Sequence, residues 1–192
     1  MATISFQVAV KPGTLNGYID GFRGAVGVYT AKNASLPLDN KDIFCISPNS
    51  EAIMSSATYT ITPGVVGQTP FTLSQINAIQ GITSKYYMVG DTSPAAMAKT
   101  VLANWLVVNP DLVITGMNPS IVAAAQFDAQ QGLAGNLEIA SYLKFTTFVN
   151  ANSQNFLNVS EVPLPPTAWL MLTALFAVFC VTQLRKNRLR AF

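Results

Sequence analysis

No histidine occurs anywhere in the 192 residues. Histidine is the commonest general base near neutral pH and the commonest metal ligand, so its absence removes the usual catalytic triads and most zinc sites together. Cysteine is nearly missing as well. Cys45 stands alone in the body and Cys180 lies in an apolar run near the C-terminus, which excludes a disulfide within the body. Only 10% of residues are charged, against the ~25% of ordinary soluble domains, so the surface must rely on Ser, Thr, Asn and Gln. That texture suits an extracytoplasmic protein. There is no Gly-rich phosphate loop, internal repeat or metal-spaced cluster, and the scattered carboxylates include no paired motif. Asp39-Asn40-Lys41-Asp42 offers too few oxygens for calcium and reads as a solvated turn. No serine sits in a nucleophile-elbow context. The sequence therefore predicts neither an enzyme, nor a cofactor, nor a metal site.

The formal charge of +2 is a property of the tail. Arg185, Lys186, Arg188 and Arg190 belong to the 11 basic residues, and without them the 9 acidic ones prevail. No clustered basic face remains for a phosphate backbone, so nucleic acid is not an expected partner. Half of all residues are apolar, and a body of about 160 residues is long enough to bury one ordinary core.

What the sequence does have is a distinctive end. Residues 168–184 carry no charge, and at ~1.5 Å per residue a helix of that length would reach roughly 25 Å, the lower limit for a bilayer span. Trp169, Leu170, Leu172, Leu175, Phe176, Val178 and Phe179 would point all round it, so its environment must be apolar on every side. Arg185, Lys186, Arg188 and Arg190 follow at once, as retention of a cytoplasmic tail requires. Pro163, Pro165 and Pro166 hold the approach extended. At the other end, MATISFQVAV lacks a basic segment followed by an apolar core. An exported chain is then expected to have lost its leader, or to start upstream of Met1. Otherwise the protein is tail-anchored and faces the cytoplasm.

Strand signals dominate the first third, at 4–10, 25–30, 43–47 and 57–62, with Gly13, Gly17, Gly21 and Gly24 marking turns. The period then changes. Thr72 opens a helix over 72–86, with Leu73, Ile76, Ile79 and Ile82 at helical spacing. Ser93-Pro94 starts a second that stops before Pro110, and Asn118-Pro119 a third that ends at Gly132. Two more strands follow at 138–149 and 154–159. The expected fold class is α+β: an antiparallel β-sheet ectodomain with a helical insertion over 1–160, a proline-rich motif at 161–167, one C-terminal transmembrane helix at 168–184, and a basic tail at 185–192.

The proline motif Val162, Pro163, Leu164, Pro165, the apolar run and the basic cluster together resemble the C-terminal sorting signal of the PEP-CTERM class, in its Val-Pro-Leu-Pro variant. The resemblance covers about 30 residues, with Leu164 where the eponymous form has glutamate. It implies an exosortase that cuts near the motif, so that an inner-membrane precursor held in lipid by 168–184 becomes a periplasmic, surface or matrix protein of a Gram-negative bacterium.

The body resembles the thioester-domain-like ectodomains often joined to such signals. Phe44-Cys45-Ile46 matches an aromatic-Cys-hydrophobic strand, and Ser153-Gln154-Asn155-Phe156-Leu157 resembles the strand that closes the domain. The family's second string, Gln-x-Ala-x-Trp, aligns with Val101-Leu102-Ala103-Asn104-Trp105. Valine has no carboxamide to join to a sulfur, so the resemblance implies a degenerate thioester position at Cys45 and Val101. Cys45 then becomes a small buried hydrophobe, and Trp105 and Ala103 packing residues. The expected function is a non-enzymatic exported surface or matrix protein linked to biofilm and exopolysaccharide, with extracellular polysaccharide as a possible partner. The alternative is a membrane subunit that keeps its helix and assembles through it.

Overall fold

Alternation along β1 (Thr3–Val10) buries Phe6 and Val8 and leaves their neighbours partly or fully exposed, as a strand with one core face should. β1 pairs antiparallel with β4 (Val28–Lys32) on one edge and with β6 (Ala57–Pro63) on the other. The ring continues through β5 (Asp42–Cys45), β9 (Phe156–Glu161) and β8 (Leu143–Val149), closing a barrel in the order β1-β4-β5-β9-β8-β6. Its interior is aromatic. Phe6 stacks on Tyr59 with centroids 4.3 Å apart, and Phe156 meets Tyr29 at 5.7 Å and Tyr59 at 5.9 Å edge to face. The computed structural model describes residues 2–35, 38–48, 52–67 and 69–162. Pro163, Leu164 and Pro165, the segment 168–184, and Arg185, Lys186, Arg188 and Arg190 lie outside the described residues. Val162 is inside them and exposed. Among the described residues, no helix is long and apolar enough to cross a membrane.

The mixed helical and antiparallel architecture agrees with the expected α+β class, but the expected single sheet is two. A smaller sheet is ordered β3-β2-β7, from β3 (Phe22–Val26), β2 (Leu15–Ile19) and β7 (Ile114–Thr115). The glycines between 13 and 24 suggested only turns, whereas Gly17 and Gly24 lie inside paired strands. The hairpin turn is Asp20-Gly21, both at positive φ (49° and 84°), the pairing a two-residue type I′ turn demands. The strand expected at 25–30 breaks at Gly27, where the chain leaves the small sheet and enters the barrel.

Three capped helices form the insertion. Thr72 and Gln75 make a reciprocal capping box for α1 (Leu73–Val89), Ser93 caps α2 (Pro94–Val108), and Asn118 caps α3 (Pro119–Leu133). All three starts follow the sequence. The third stop does not: Gly132 lies within the helix because α1 passes so close that a Cβ there would sit 3.1 Å from the Ala78 Cβ. Asp128 of α3 accepts ion pairs from Lys85 of α1 at 2.7 Å and Lys99 of α2 at 3.4 Å, tying the three helices together.

The strand expected at 138–149 starts only at Leu143, because the segment ahead of it packs on α1. The Ala140 amide donates to the Ser84 hydroxyl at 3.1 Å, and the Leu137 backbone lies against Gly81. A Cβ at Gly81 would come within 2.8 Å of the Leu137 Cβ and 3.1 Å of its carbonyl oxygen. Gly81→Ala should therefore destabilise the protein by about 1–3 kcal/mol through overpacking, outweighing the ~1 kcal/mol that alanine gains in a helix. Urea unfolding measures it; a stabilised variant would mean that 137–140 moves freely.

Candidate functional site

β5 carries Ile43, Phe44 and Cys45, all fully buried, and their faces alternate. Phe44 points to the helices, against Tyr86 at 5.5 Å and Tyr87 at 6.2 Å. Cys45, one residue on, faces the barrel interior, directly opposite Phe156 in the antiparallel β5–β9 ladder. The next bond runs from the Ile46 amide to the Asn155 carbonyl at 3.0 Å, which makes Cys45↔Phe156 a non-hydrogen-bonded pair, the kind whose side chains lie closest.

The β4–β5 pairing ends at Val28↔Phe44, so the Cys45 carbonyl needs another donor. Trp105 of α2 supplies it, its indole Nε1 donating to that oxygen at 3.0 Å. Val101 sits one turn earlier on the same face, also fully buried. Thus α2 is bonded through Trp105 to the strand that holds the cysteine, and both aligned positions are core residues.

Another side chain, Gln154, lies on the β9 side of Cys45. β9 begins at Phe156 rather than at 154 because the Asn155 amide donates to the Ser47 hydroxyl at 3.2 Å instead of continuing the ladder. Gln154 precedes Phe156 by two, and carrying the register two residues beyond its last pair, Cys45↔Phe156, sets it opposite Ser47 and diagonal to Cys45. Diagonal neighbours in an antiparallel pair are roughly 7–8 Å apart at Cα, within reach of a long side chain. Gln154 is only 7% exposed, and its buried carboxamide oxygen Oε1 finds no hydrogen-bond partner among the described residues. A buried acceptor without a donor is unfavourable in a folded protein. Among the described residues the Tyr86 hydroxyl, Asn104 Oδ1 and Asn155 Nδ2 are also buried without partners, and Gln154 is set apart from them by its place beside Cys45. The register that brings 154 beside 45 spans more than a hundred residues, so spacing gave no warning of it; the signal was the string Gln154-Asn155-Phe156-Leu157 itself.

Cys45 is a free thiol in the structure and donates weakly to the Ser47 carbonyl at 3.5 Å. Burial pushes its pKa up to about 12, and the neighbouring Ser47 and Trp105 lower it only in part. The thiol is neutral at physiological pH and a poor external nucleophile. Tyr29 and Tyr59 are raised as well, first by burial and also by any charge on Cys45. Among the described residues no cluster of metal-ligating side chains occurs.

These shifts predict an alkaline weakness in a Gln154→Ala variant. The folded chain keeps the Cys45 proton until about pH 12, whereas an unfolded one releases it near the ordinary value of 9.0. Stability contributed by the neutral thiol is whole below the lower value and is lost as pH rises towards the upper one. Tyr29 and Tyr59 act in the same direction. Urea midpoints from neutral pH upward should fall more steeply than in a Cys45→Ala, Gln154→Ala double variant; equal slopes would contradict the assignment.

No protein-family model and no curated protein sequence matches the chain. Among solved structures, the N-terminal thioester domain of a surface protein from Clostridium perfringens is similar with a TM-score of 0.53 at 10% identity, over 84% of this chain and 100% of that one. The N-terminal domain of the Streptococcus pyogenes pilus tip adhesin Cpa gives a TM-score of 0.49 at 14% identity, over 82% of this chain and 98% of its own. The first likeness shows the fold: the body is folded like a thioester domain, as the sequence resemblance implied.

Proposed function

We propose that this protein is an exported surface-attachment domain in which Cys45 and Gln154 condense to an internal thioester that captures primary amines. One observation carries the reading: the β5–β9 register, carried two residues past Cys45↔Phe156, sets the buried Gln154 carboxamide, whose oxygen is unpartnered, diagonal to a buried thiol. The thioester-domain fold supports it. The degenerate pair expected at Cys45 and Val101 gives way to Gln154 as the acyl donor, and Val101 keeps a packing role.

The chemistry balances without a cofactor. The Cys45 sulfur attacks the Gln154 Cδ, the Cδ–Nε2 bond breaks, and the thiol proton leaves with the nitrogen as ammonia. A primary amine then attacks the same carbon, an amide forms, and the thiol is regenerated. A neutral thiol is a weak nucleophile, but holding the two groups together replaces an encounter in solution, with effective molarities of roughly 10⁵ M or more in well-oriented cases. Burial protects the product from water. Each molecule reacts once, so the protein is a covalent tether and not a turnover catalyst.

The C-terminal segment carries the exported half of the reading. Val162, Pro163, Leu164 and Pro165 form the site for an exosortase, 168–184 holds the precursor in lipid, and Arg185, Lys186, Arg188 and Arg190 keep its tail in the cytoplasm. The released body joins an exopolysaccharide or biofilm matrix, where its uncharged polar surface suits contact with polysaccharide. Two measurements test the two halves. Incubation with a biotinylated alkylamine should label Gln154 as an amide, located by peptide sequencing, and absence of label would overturn the tether. Mass spectrometry of the protein from its native envelope should find a chain ending near Pro165; an intact Phe192 would instead favour a membrane subunit that keeps its helix.

A further inference from the structure

A thiol near neutrality must lose its proton as it attacks, the departing amide nitrogen must gain one, and the chain has no histidine to carry it. The barrel interior holds a different set of groups. Tyr59 is fully buried, its ring stacked on Phe6 at 4.3 Å and edge-on to Phe156 at 5.9 Å, and Phe156 is the residue directly opposite Cys45. The Tyr59 hydroxyl meets the Ser153 hydroxyl at 3.4 Å in a buried contact in which either oxygen can be the donor. Ser153 is 1% exposed and immediately precedes Gln154. Its hydroxyl is held in place by the Ile53 amide, which donates to it at 3.3 Å. Tyr59, packed on the residue opposite Cys45, is thus joined hydroxyl to hydroxyl with the residue that precedes Gln154.

We infer that Tyr59 and Ser153 form a proton relay for making and opening the bond between Cys45 and Gln154. This rests on the thioester reading above. As sulfur attacks Cδ, the thiol proton passes to the Tyr59 oxygen, the phenol proton to the Ser153 oxygen, and the serine proton to the leaving nitrogen. Both hydroxyls end as they began, and ammonia carries the proton away. When an amine opens the thioester, the same path runs backwards and returns a proton to sulfur. Neither group has to ionise, which suits a phenol whose pKa burial has raised.

The test uses the reversibility of the reaction. Excess ammonia opens the thioester back to glutamine and thiol, and its removal lets the ring close again, followed by intact mass. Tyr59→Phe keeps the ring stacked on Phe6 and loses only the hydroxyl. Closing and methylamine opening should each slow by about tenfold or more, within the range for a positioned proton-transfer group. The wild-type solvent deuterium isotope effect should shrink in the variant, while its melting temperature stays close to wild type. Ser153→Ala should slow the same steps. An unchanged rate, or a slowed rate with an undiminished isotope effect, would overturn the relay and leave the thioester intact. A wild-type protein that never loses ammonia would overturn both.

Discussion

Gln154→Ala should abolish covalent amine capture, and Val101→Ala should leave it working. The first change removes the acyl carbon that becomes the thioester carbonyl, so no adduct can form at any amine concentration. Cys45→Ala should do the same by removing the sulfur. Val101 is a fully buried residue of α2, on the face that presents Trp105 to the Cys45 carbonyl. Trimming it removes two methyl groups from the core, for a loss of about 1–3 kcal/mol, and leaves both reacting groups in place. Gel shift with the biotinylated amine compares the three variants directly. Label that persists in Gln154→Ala would show that another residue supplies the acyl carbon and break the argument from strand register.

Trp105→Ala should cost about 3–5 kcal/mol in urea unfolding, the range for truncating a large buried aromatic side chain. Two effects combine at this position. The indole is 3% exposed, so its removal leaves a cavity between α2 and the barrel. Its Nε1 also provides the donor for the Cys45 carbonyl, which lies past the end of the β4–β5 pairing and would be left buried without a partner. Trp105→Phe restores much of the volume but not the donor, and should recover only part of the loss. Because β5 carries Cys45, both variants should also slow amine capture in whatever fraction remains folded. A loss below about 1 kcal/mol in Trp105→Ala would mean that α2 is not docked through this residue.

The helical insertion was readable because its signals are local. Thr72 with Gln75, Ser93 with Pro94 and Asn118 with Pro119 each place a cap and a first turn within a few residues, and the structure starts its helices there. The β portion depends on partners far away in sequence. Alternation in 4–10 says which face is buried, but not that β1 will bond β6 on one edge and β4 on the other to close a barrel. Gly132 resembled a stop because glycine often ends helices, and only the approach of Ala78 explains one inside. The same limit governed the site. Cys45 was legible as a lone cysteine in a hydrophobic strand. The string on α2 offers valine at 101, whereas the Gln154 carboxamide comes from just ahead of the final strand and meets Cys45 only when the β5–β9 register is carried two residues on. Ser153 was visible only as the first residue of the string that closes the domain, and Tyr59 carried no signal, since a buried tyrosine in a strand is ordinary core.

Intact-mass analysis of the folded protein, purified without exposure to amines, tests the central claim most directly. The account predicts a chain lighter by one ammonia than its sequence requires, with a Cys45–Gln154 cross-linked peptide after digestion and no Cys45 thiol to alkylate on unfolding. A chain of full mass whose Cys45 is alkylated stoichiometrically once unfolded would contradict it.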